Sequence, residues 1–470
     1  MTTPVSLVAA GAALPTLRLA AADVGAAWGG RGGKGTAAVC APDEDTLTLS
    51  WRAAMRALDA AALSPDDVDA LWWGTSRPPF AEGPSLALLA ASLRLPDTVG
   101  GALVAGSASA GLDALLAAWD SVAAGSASCA LVVASDAITP GLGTAWEARV
   151  GAAAVAVVLR SASDRGGPAT LAARRVVTRP VLDRYRGDDE TDTRDLYDPR
   201  LFREEVFLPL LTDACRAAGD GITAWSLPDP DGRLGASLAK KVGGDAEASL
   251  GAFRKVGDTG AAAAVLGAVP ALATAAGGRV GIVGYGGGRV TTVVVDVASP
   301  VPGAGPLDAV APAGRAATYA EVLRARAQLV PNGETVAMGV PPGGAGFVRG
   351  NVELLGLHGA RCVDCGTIST PPSVHPACTN CGGTKLEEQP LARTGTVQTF
   401  VVNHTMPAPF VAPLPLVVVD LDDGARLQLQ GLPEDADALR IGDRVELELR
   451  RYAVERGVPV YGFKVKRTEA

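Results

Sequence analysis

Aromatic side chains make up only 4% of the 470 residues, too few for an aromatic-rich β-sandwich. Ala and Gly are abundant instead, and a core of small residues needs close approach of backbones, which suits layered α/β packing. Excess positive charge is also missing. Lys plus Arg is 42 against 50 for Asp plus Glu, a net charge of −8, which argues against a general nucleic-acid binder. No apolar run reaches the roughly 18 residues of a membrane span, so no membrane partner is expected. The opening MTTPVSLVAAGAALP lacks a basic n-region and reads as a first strand, not a signal peptide. Histidine is the scarcest titratable side chain: His358, His375 and His404 are all there is, and no cysteine lies between Cys40 and Cys129. What is present, 48% apolar and 20% charged residues, folds, and the length predicts about two or three domains.

Strand-like and helix-like stretches alternate from the first residue to about residue 298, which predicts βαβ units and a largely parallel sheet. Val5–Ala10 is an apolar run closed by Gly11 and Pro15, Thr46–Ala61 has helical spacing, and Ala130–Ser135 reads as a buried strand. The most polar stretch, residues 182–203, is expected to be an exposed excursion. Residues 299–315, rich in Pro, Gly and Ala, read as a linker. Thr318 and Glu321 then fit a capping box that starts a helix running to about Leu329. Beyond residue 393 apolar and polar residues alternate between turn signals at Asp422-Asp423-Gly424, Ile441-Gly442-Asp443 and Arg456-Gly457, which predicts a small β-barrel. The domains are therefore placed at 1–300, with 301–350 a linker and helix, 351–392 a metal ribbon, and 393–470 the barrel.

Cys362-Val363-Asp364-Cys365 and Cys378-Thr379-Asn380-Cys381 form two knuckles separated by twelve residues, and Gly366 and Gly382 follow them. Four thiolates favour tetrahedral Zn²⁺ with no open position, hence a structural site. Iron in a rubredoxin-like site and a redox disulfide pair are the alternatives. Cys40, Cys129 and Cys215 are scattered, and this cysteine usage suits a reducing cytoplasm.

The order of parts resembles a known family. PDEDT (Pro42–Thr46), LWWGTSRPPFAEGPS (Leu71–Ser85), GSASAGLDALLAAWDSVAAG (Gly106–Gly125), LVVASD (Leu131–Asp136), PDPDGR (Pro228–Arg233), AKKVG (Ala239–Gly243) and GYGGGR (Gly284–Arg289) resemble the thiolase superfamily, in its hydroxymethylglutaryl-CoA synthase and ketoacyl synthase III branch. The tail resembles the zinc-ribbon plus OB-fold family that accompanies acyl-CoA thiolases and synthases, through the two knuckles, Gly395-Thr396-Val397 and Ile441-Gly442. The resemblance implies an α/β fold of five layers, αβαβα, followed by a zinc ribbon and an OB-fold barrel. It also implies an acyl-CoA or acyl-carrier thioester as substrate, a homodimer, and Claisen or aldol chemistry.

That chemistry uses a nucleophilic Cys, an oxyanion-stabilising His or Asn and, in the hydroxymethylglutaryl-CoA branch, a Glu as general acid/base. Carried over position by position, the Cys falls on Ala108, the His on Pro228, the Glu on Ser76, and the Asn on Asp258. The acyl-enzyme route is thus lost. Ser107 and Ser109 flank the vacant nucleophile position, although no His is at hand to activate them. Asp229 and Asp231 are carboxylates in what is also ordinary turn chemistry. Asp258 orients a substrate hydroxyl or caps a helix. Tyr285 either carries a proton to an enolate or is a buried structural ring. GYGGGR is not a dinucleotide fingerprint, because strands flank it on both sides. Its Gly286, Gly287 and Gly288 are candidates to meet the thioester through their backbone.

Two functions follow. The first is a thioester-binding enzyme that makes or breaks a C–C bond by an aldol or retro-aldol step without an acyl-enzyme, with Tyr285, Asp258 and Ser109 as candidate catalytic residues. The second is a catalytically silent scaffold or regulatory partner of an active thiolase-like enzyme.

Overall fold

The computed structural model describes residues 4–30, 33–162, 166–195, 198–310, 314–329, 351–406, 410, 412–455 and 457–468. Two compact units emerge: Met1–Leu86 with Leu95–Val330, and Ala87–Arg94 with Pro331–Ala470.

The first unit is built on nine strands: β1 (Val5–Ala13), β2 (Ala70–Gly74), β3 (Gly100–Val104), β4 (Cys129–Ala137), β5 (Ala152–Ser161), β6 (Ala169–Thr178), β7 (Ala224–Ser226), β8 (Gly278–Gly286) and β9 (Arg289–Val297). Their order is β7-β8-β9-β6-β1-β5-β4-β2-β3. The pairing of β1 with β6 covers only Ser6–Leu7 and Ala169–Thr170, so the sheet consists of a five-stranded and a four-stranded half. β2 runs parallel to both β3 and β4, and β7 to β8, but the other five neighbouring pairings are antiparallel, so the sheet is mixed and not the largely parallel one expected, because hairpin-like neighbours replace helical crossovers around β5, β6 and β9.

Helices fill both sides of each half. Helix α1 (Thr46–Ala61), whose amide ends are held by an Asp45–Thr48 capping box, packs on β1, β4 and β5. Gly11 on β1 permits that approach, since a Cβ there would lie 2.5 Å from the Ala53 carbonyl oxygen. Helices α2 (Ala110–Ala123) and α4 (Ala263–Thr274) lie between the halves and share one core with Val132, Val155, Ile282 and Val293. Helix α3 (Leu208–Arg216) closes the far face, with Leu208 and Leu211 grouped with Val283 and Val290. The result is helix–sheet–helix–sheet–helix, the five layers expected. The scarcity of large rings is what lets α2 and α4 fit between the two sheet halves.

Two sequence expectations are corrected. Residues 299–310 pack on the first unit instead of spanning free: Ala10 N–H donates to the Pro302 carbonyl at 2.9 Å, and Val301 and Leu307 are buried. Gly303 is needed there, because a Cβ would sit 2.0 Å from the Ala10 oxygen. The polar stretch 182–203 is not simply exposed either. Asp183 and Phe202 are buried, and Arg184–Tyr185 pairs with Arg194–Asp195. Its charges are matched among themselves and with neighbouring loops, which polarity along the sequence does not reveal. The helix after Thr318 forms as predicted, with Thr318 Oγ1 accepting from Glu321 N–H at 3.2 Å, but it stops at Ala325.

In the second unit β10 (His358–Cys362), β11 (Ile368–Ser369) and β12 (Leu386–Pro390) make the ribbon. Strands β13 (Thr394–Asn403), β14 (Leu414–Leu421), β15 (Arg426–Gln430), β16 (Arg444–Glu455) and β17 (Val458–Arg467) follow in the order β15-β14-β13-β16-β17. A bridge between Gly431 and Val465 brings the two edge strands together, so the sheet curls into a nearly closed barrel. Within this unit Arg94 donates to the carbonyls of Gly356, Leu357 and Leu391 at 2.6 to 3.0 Å. No helix among the described residues is long and apolar enough to cross a membrane.

Candidate active site

A cavity of about 240 Å³ opens in the first unit where loops from both sheet halves converge. Three of the positions carried over from the family, Ser76, Ala108 and Pro228, line it together with Asp258 and Tyr285. The positions picked out along the sequence thus converge on one cavity. Among the described residues no cysteine lines the cavity. Cys129 and Cys215 are buried elsewhere, their thiols pushed up by burial to about 11 and about 12.

The back wall is backbone. Gly287 and Gly288 have φ of +58° and +72°, so β8 and β9 are joined by a two-residue turn of the hairpin type that only residues tolerant of positive φ form easily. A Cβ on Gly286 would lie 2.7 Å from both the Ala108 and Ser109 nitrogens, so glycine lets this hairpin press on the start of α2. Gly286 and Gly287 line the cavity. Gly288 is turned to the Arg179 carbonyl and is not among the lining residues.

Ser107 faces the cavity, and Ser109 stands behind it. The two hydroxyls are 3.0 Å apart, and Ser109 donates to Asp113 Oδ2 at 3.0 Å. Asp113 is held in turn by Arg289 and Thr291, each at 3.0 Å. The Asp113 carboxylate is thus already engaged by Arg289 and Thr291, and no histidine stands beside either serine to activate it.

The charged wall comes from the excursion. The Arg184 guanidinium donates to Asp258 Oδ2 at 2.5 Å, to Asp195 Oδ1 at 3.1 Å and to the Pro230 carbonyl at 3.2 Å, and lies 3.8 Å over the Trp146 ring. Asp258 is therefore an anchor for Arg184, and it also accepts from Gly260 N–H at 3.1 Å. Its Gly260 bond is local backbone capping ahead of the short Gly260–Ala262 turn, and its other carboxyl oxygen is taken by Arg184. Tyr285 packs its ring on Phe202 and Phe207 at centroid distances of 5.9 and 5.5 Å.

The two aspartates of Pro228–Arg233 separate by role. Asp231 accepts from Arg233 and Leu234 N–H, each at 2.8 Å, and is turn chemistry. Asp229 lines the cavity, and burial, with the nearby Asp231 and Asp258 adding to it, pushes its carboxyl up to about 6. Behind Ser76, Asp136 near the end of β4 is fully buried and accepts from the Ser76 hydroxyl. Arg184 and Asp136 were missed by sequence reasoning. For Arg184 the only signal was the density of charge in residues 182–203.

In the second unit Cys362, Cys365, Cys378 and Cys381 place their sulfurs within 4.8 Å of one another. The Cys362–Cys381 and Cys365–Cys378 sulfurs are 3.6 and 3.5 Å apart, and all four thiols are free. No disulfide joins them in this structure.

Comparison with known proteins agrees with both units. The model of the ChsH2 C-terminal OB-fold domain matches residues 388–450. A DUF35 domain-containing scaffold protein of Methanothermobacter thermautotrophicus is 36% identical over 115 residues, 23% of this chain and 85% of the relative. The chain belongs to the DUF35 family by its tail, fused here to a thiolase-superfamily domain. For that domain, the hydroxymethylglutaryl-CoA synthase of Thermococcus sibiricus is 32% identical over 133 residues, 28% of this chain and 38% of the synthase. The chain thus matches well under half the length of that relative. A structure of MvaS in complex with 3-hydroxy-3-methylglutaryl coenzyme A shares the fold at a TM-score of 0.62 and 20% identity, over 73% of this chain and 96% of that one.

Proposed function

We propose that the cavity takes the acyl end of a CoA or acyl-carrier thioester and that the domain makes or breaks a C–C bond by an aldol-type step without an acyl-enzyme. The observation that carries this reading is the pairing of loss with replacement. Ala108 and Pro228 stand at the nucleophile and histidine positions, yet the same cavity holds a half-buried carboxyl shifted toward neutrality and a guanidinium fixed by two carboxylates. An aldol step needs a proton acceptor, a proton donor and a positive field for the enolate, but no thioester to the protein. Asp229 supplies the donor. Arg184, held by Asp258, and the amino end of α2 behind Ala108 supply the field. Tyr285 is a second proton carrier on the same wall, Ser109 acts through Ser107, and the backbone of Gly286 and Gly287 receives the thioester, without Gly288. The synthases to which the domain is similar support a CoA thioester as the substrate class.

The four thiolates hold zinc in this reading. A Zn–S bond of about 2.3 Å in a tetrahedron sets sulfurs about 3.8 Å apart, close to the separations seen. With no ligand position left open, the metal serves to close the ribbon. Free thiols throughout fit a reducing cytoplasm.

A homodimer is favoured by β3, the edge strand of the main sheet, whose Gly100 and Gly101 are exposed and which pairs on one side only. A scaffold role for the whole protein is the second reading, favoured by the relatives named as scaffold proteins.

Calorimetric titration of the zinc-loaded protein with a panel of CoA thioesters, including β-hydroxyacyl-CoAs, with mass spectrometry of the same samples, tests the first reading. Binding with formation of a shorter thioester is expected. No binding to any thioester would sink the enzyme and leave the scaffold.

A further inference from the structure

Ser76 is half-buried at the cavity wall, and its hydroxyl donates to Asp136 Oδ2 at 2.9 Å. Asp136 is wholly buried and accepts three more bonds, from Thr75 Oγ1 at 3.0 Å, Ser76 N–H at 2.8 Å and Ala261 N–H at 2.7 Å. All four donors are neutral, and together they fill the acceptor sites of an ionised carboxylate. Gly260 is part of this arrangement, since a Cβ there would lie 2.2 Å from Asp136 Oδ2. Pinning the loop accounts for the backbone and threonine bonds. The Ser76 hydroxyl is the one donor that also faces the cavity. Because its proton is committed to Asp136, the serine oxygen meets a ligand as an acceptor, and the matching ligand group is a hydroxyl.

We propose that Ser76 and Asp136 form a proton relay that takes the β-hydroxyl proton of a β-hydroxyacyl thioester. The proposal rests on the thioester reading above and names its substrate class. In the cleavage direction the substrate hydroxyl gives its proton to Ser76 Oγ as Ser76 passes its own to Asp136. The O–H electron pair becomes the new carbonyl bond, and the Cα–Cβ bond breaks with its pair passing to the thioester enolate beside Arg184. Asp229 then protonates Cα. Solvent reprotonates Asp229, and Asp136 returns its proton through Ser76. The products are an aldehyde or ketone and a shorter thioester, and the reverse sequence is a condensation. Burial holds the Asp136 carboxyl up at about 6, within reach of a neutral-pH base. Ser76 is the residue that touches substrate, and Asp136 is a positioning residue that acts through it.

The test compares 3-hydroxybutyryl-CoA with butyryl-CoA by calorimetry on the full-length protein. Wild type is expected to prefer the hydroxy ligand by about tenfold, the worth of one good hydrogen bond. Ser76→Ala and Asp136→Asn should erase that preference and leave butyryl-CoA binding unchanged, and Ser76→Thr should restore it. A merely structural serine would weaken both ligands alike. If Asp136→Asn fails to fold, the Ser76 pair decides. A preference that survives in Ser76→Ala overturns the relay and spares the thioester reading. Wild type binding neither ligand overturns both.

Discussion

The four-cysteine cluster and the cavity are both small groups of polar atoms, assembled in opposite ways. The cluster draws its ligands from residues 362 to 381, two short knuckles whose glycine-ended turns aim the thiolates at one point. The cavity draws on loops spread from Ser76 to Gly287, and its decisive bonds join residues far apart in sequence: 74 positions for Arg184–Asp258, 60 for Ser76–Asp136 and 125 for Ala261–Asp136. A locally encoded site of this kind is expected to depend on the zinc proposed for it. A tertiary one depends on the charges and backbone approaches that hold its walls.

Breaking the cluster should give the larger effect. Structural zinc in small ribbons is worth roughly 10 kcal/mol or more of folding free energy. Cys378→Ser, or chelation of the wild type, is expected to abolish amide protection across residues 358–390 while protection in β1 and β4 persists, as read by hydrogen exchange. Equal loss in both regions would refute the contrast.

Next comes the charged wall. Arg184→Ala leaves Asp258 and Asp195 without their cation and should cost about 3–5 kcal/mol in denaturant unfolding. Arg184→Lys should recover little, because one ammonium cannot span two carboxylates and a carbonyl.

The Asp229 carboxyl sharpens the comparison through pH. Its folded value is raised, to about 6 from an ordinary 3.8, so its contribution to stability is fully present below pH 4 and is lost as the pH climbs through 6. Roughly two units correspond to at most about 3 kcal/mol. Asp229→Asn should therefore be more stable than wild type by up to that amount at pH 8 and indistinguishable at pH 4, while losing turnover. A pH-independent difference would show that the group is not a buried carboxylate charge.

The smallest effect is expected at Ser109. Its hydroxyl is donated to Asp113, so Ser109→Ala should cost about 1–2 kcal/mol of stability and change turnover only a few-fold. Complete loss of turnover in a well-folded Ser109→Ala protein would make it the nucleophile.

Much was legible along the chain. The knuckle spacing specified the cluster, periodicity gave the alternation of strands and helices, the family resemblance gave the five layers, and the positions carried over to Ser76, Ala108 and Pro228 converge on one cavity. Residues 182–203 and 299–310 were misread for one reason: their polarity and their Pro and Gly content describe exposure on average, whereas Arg184 is held by Asp258 and Gly303 lies against the Ala10 carbonyl, partners that sequence does not name.

By itself the sequence determined the four-cysteine cluster, the barrel that follows it, and the absence of histidine before His358 and of cysteine between Cys40 and Cys129, because each is a matter of residue identity or short-range period. Only the tertiary structure decided that Arg184 clasps Asp258, that Asp229 is the cavity carboxyl and Asp231 the cap, and that Ser76 leans on Asp136. Those assignments depend on which side chains lose water together, and desolvation is a property of the packed fold and not of any segment of it.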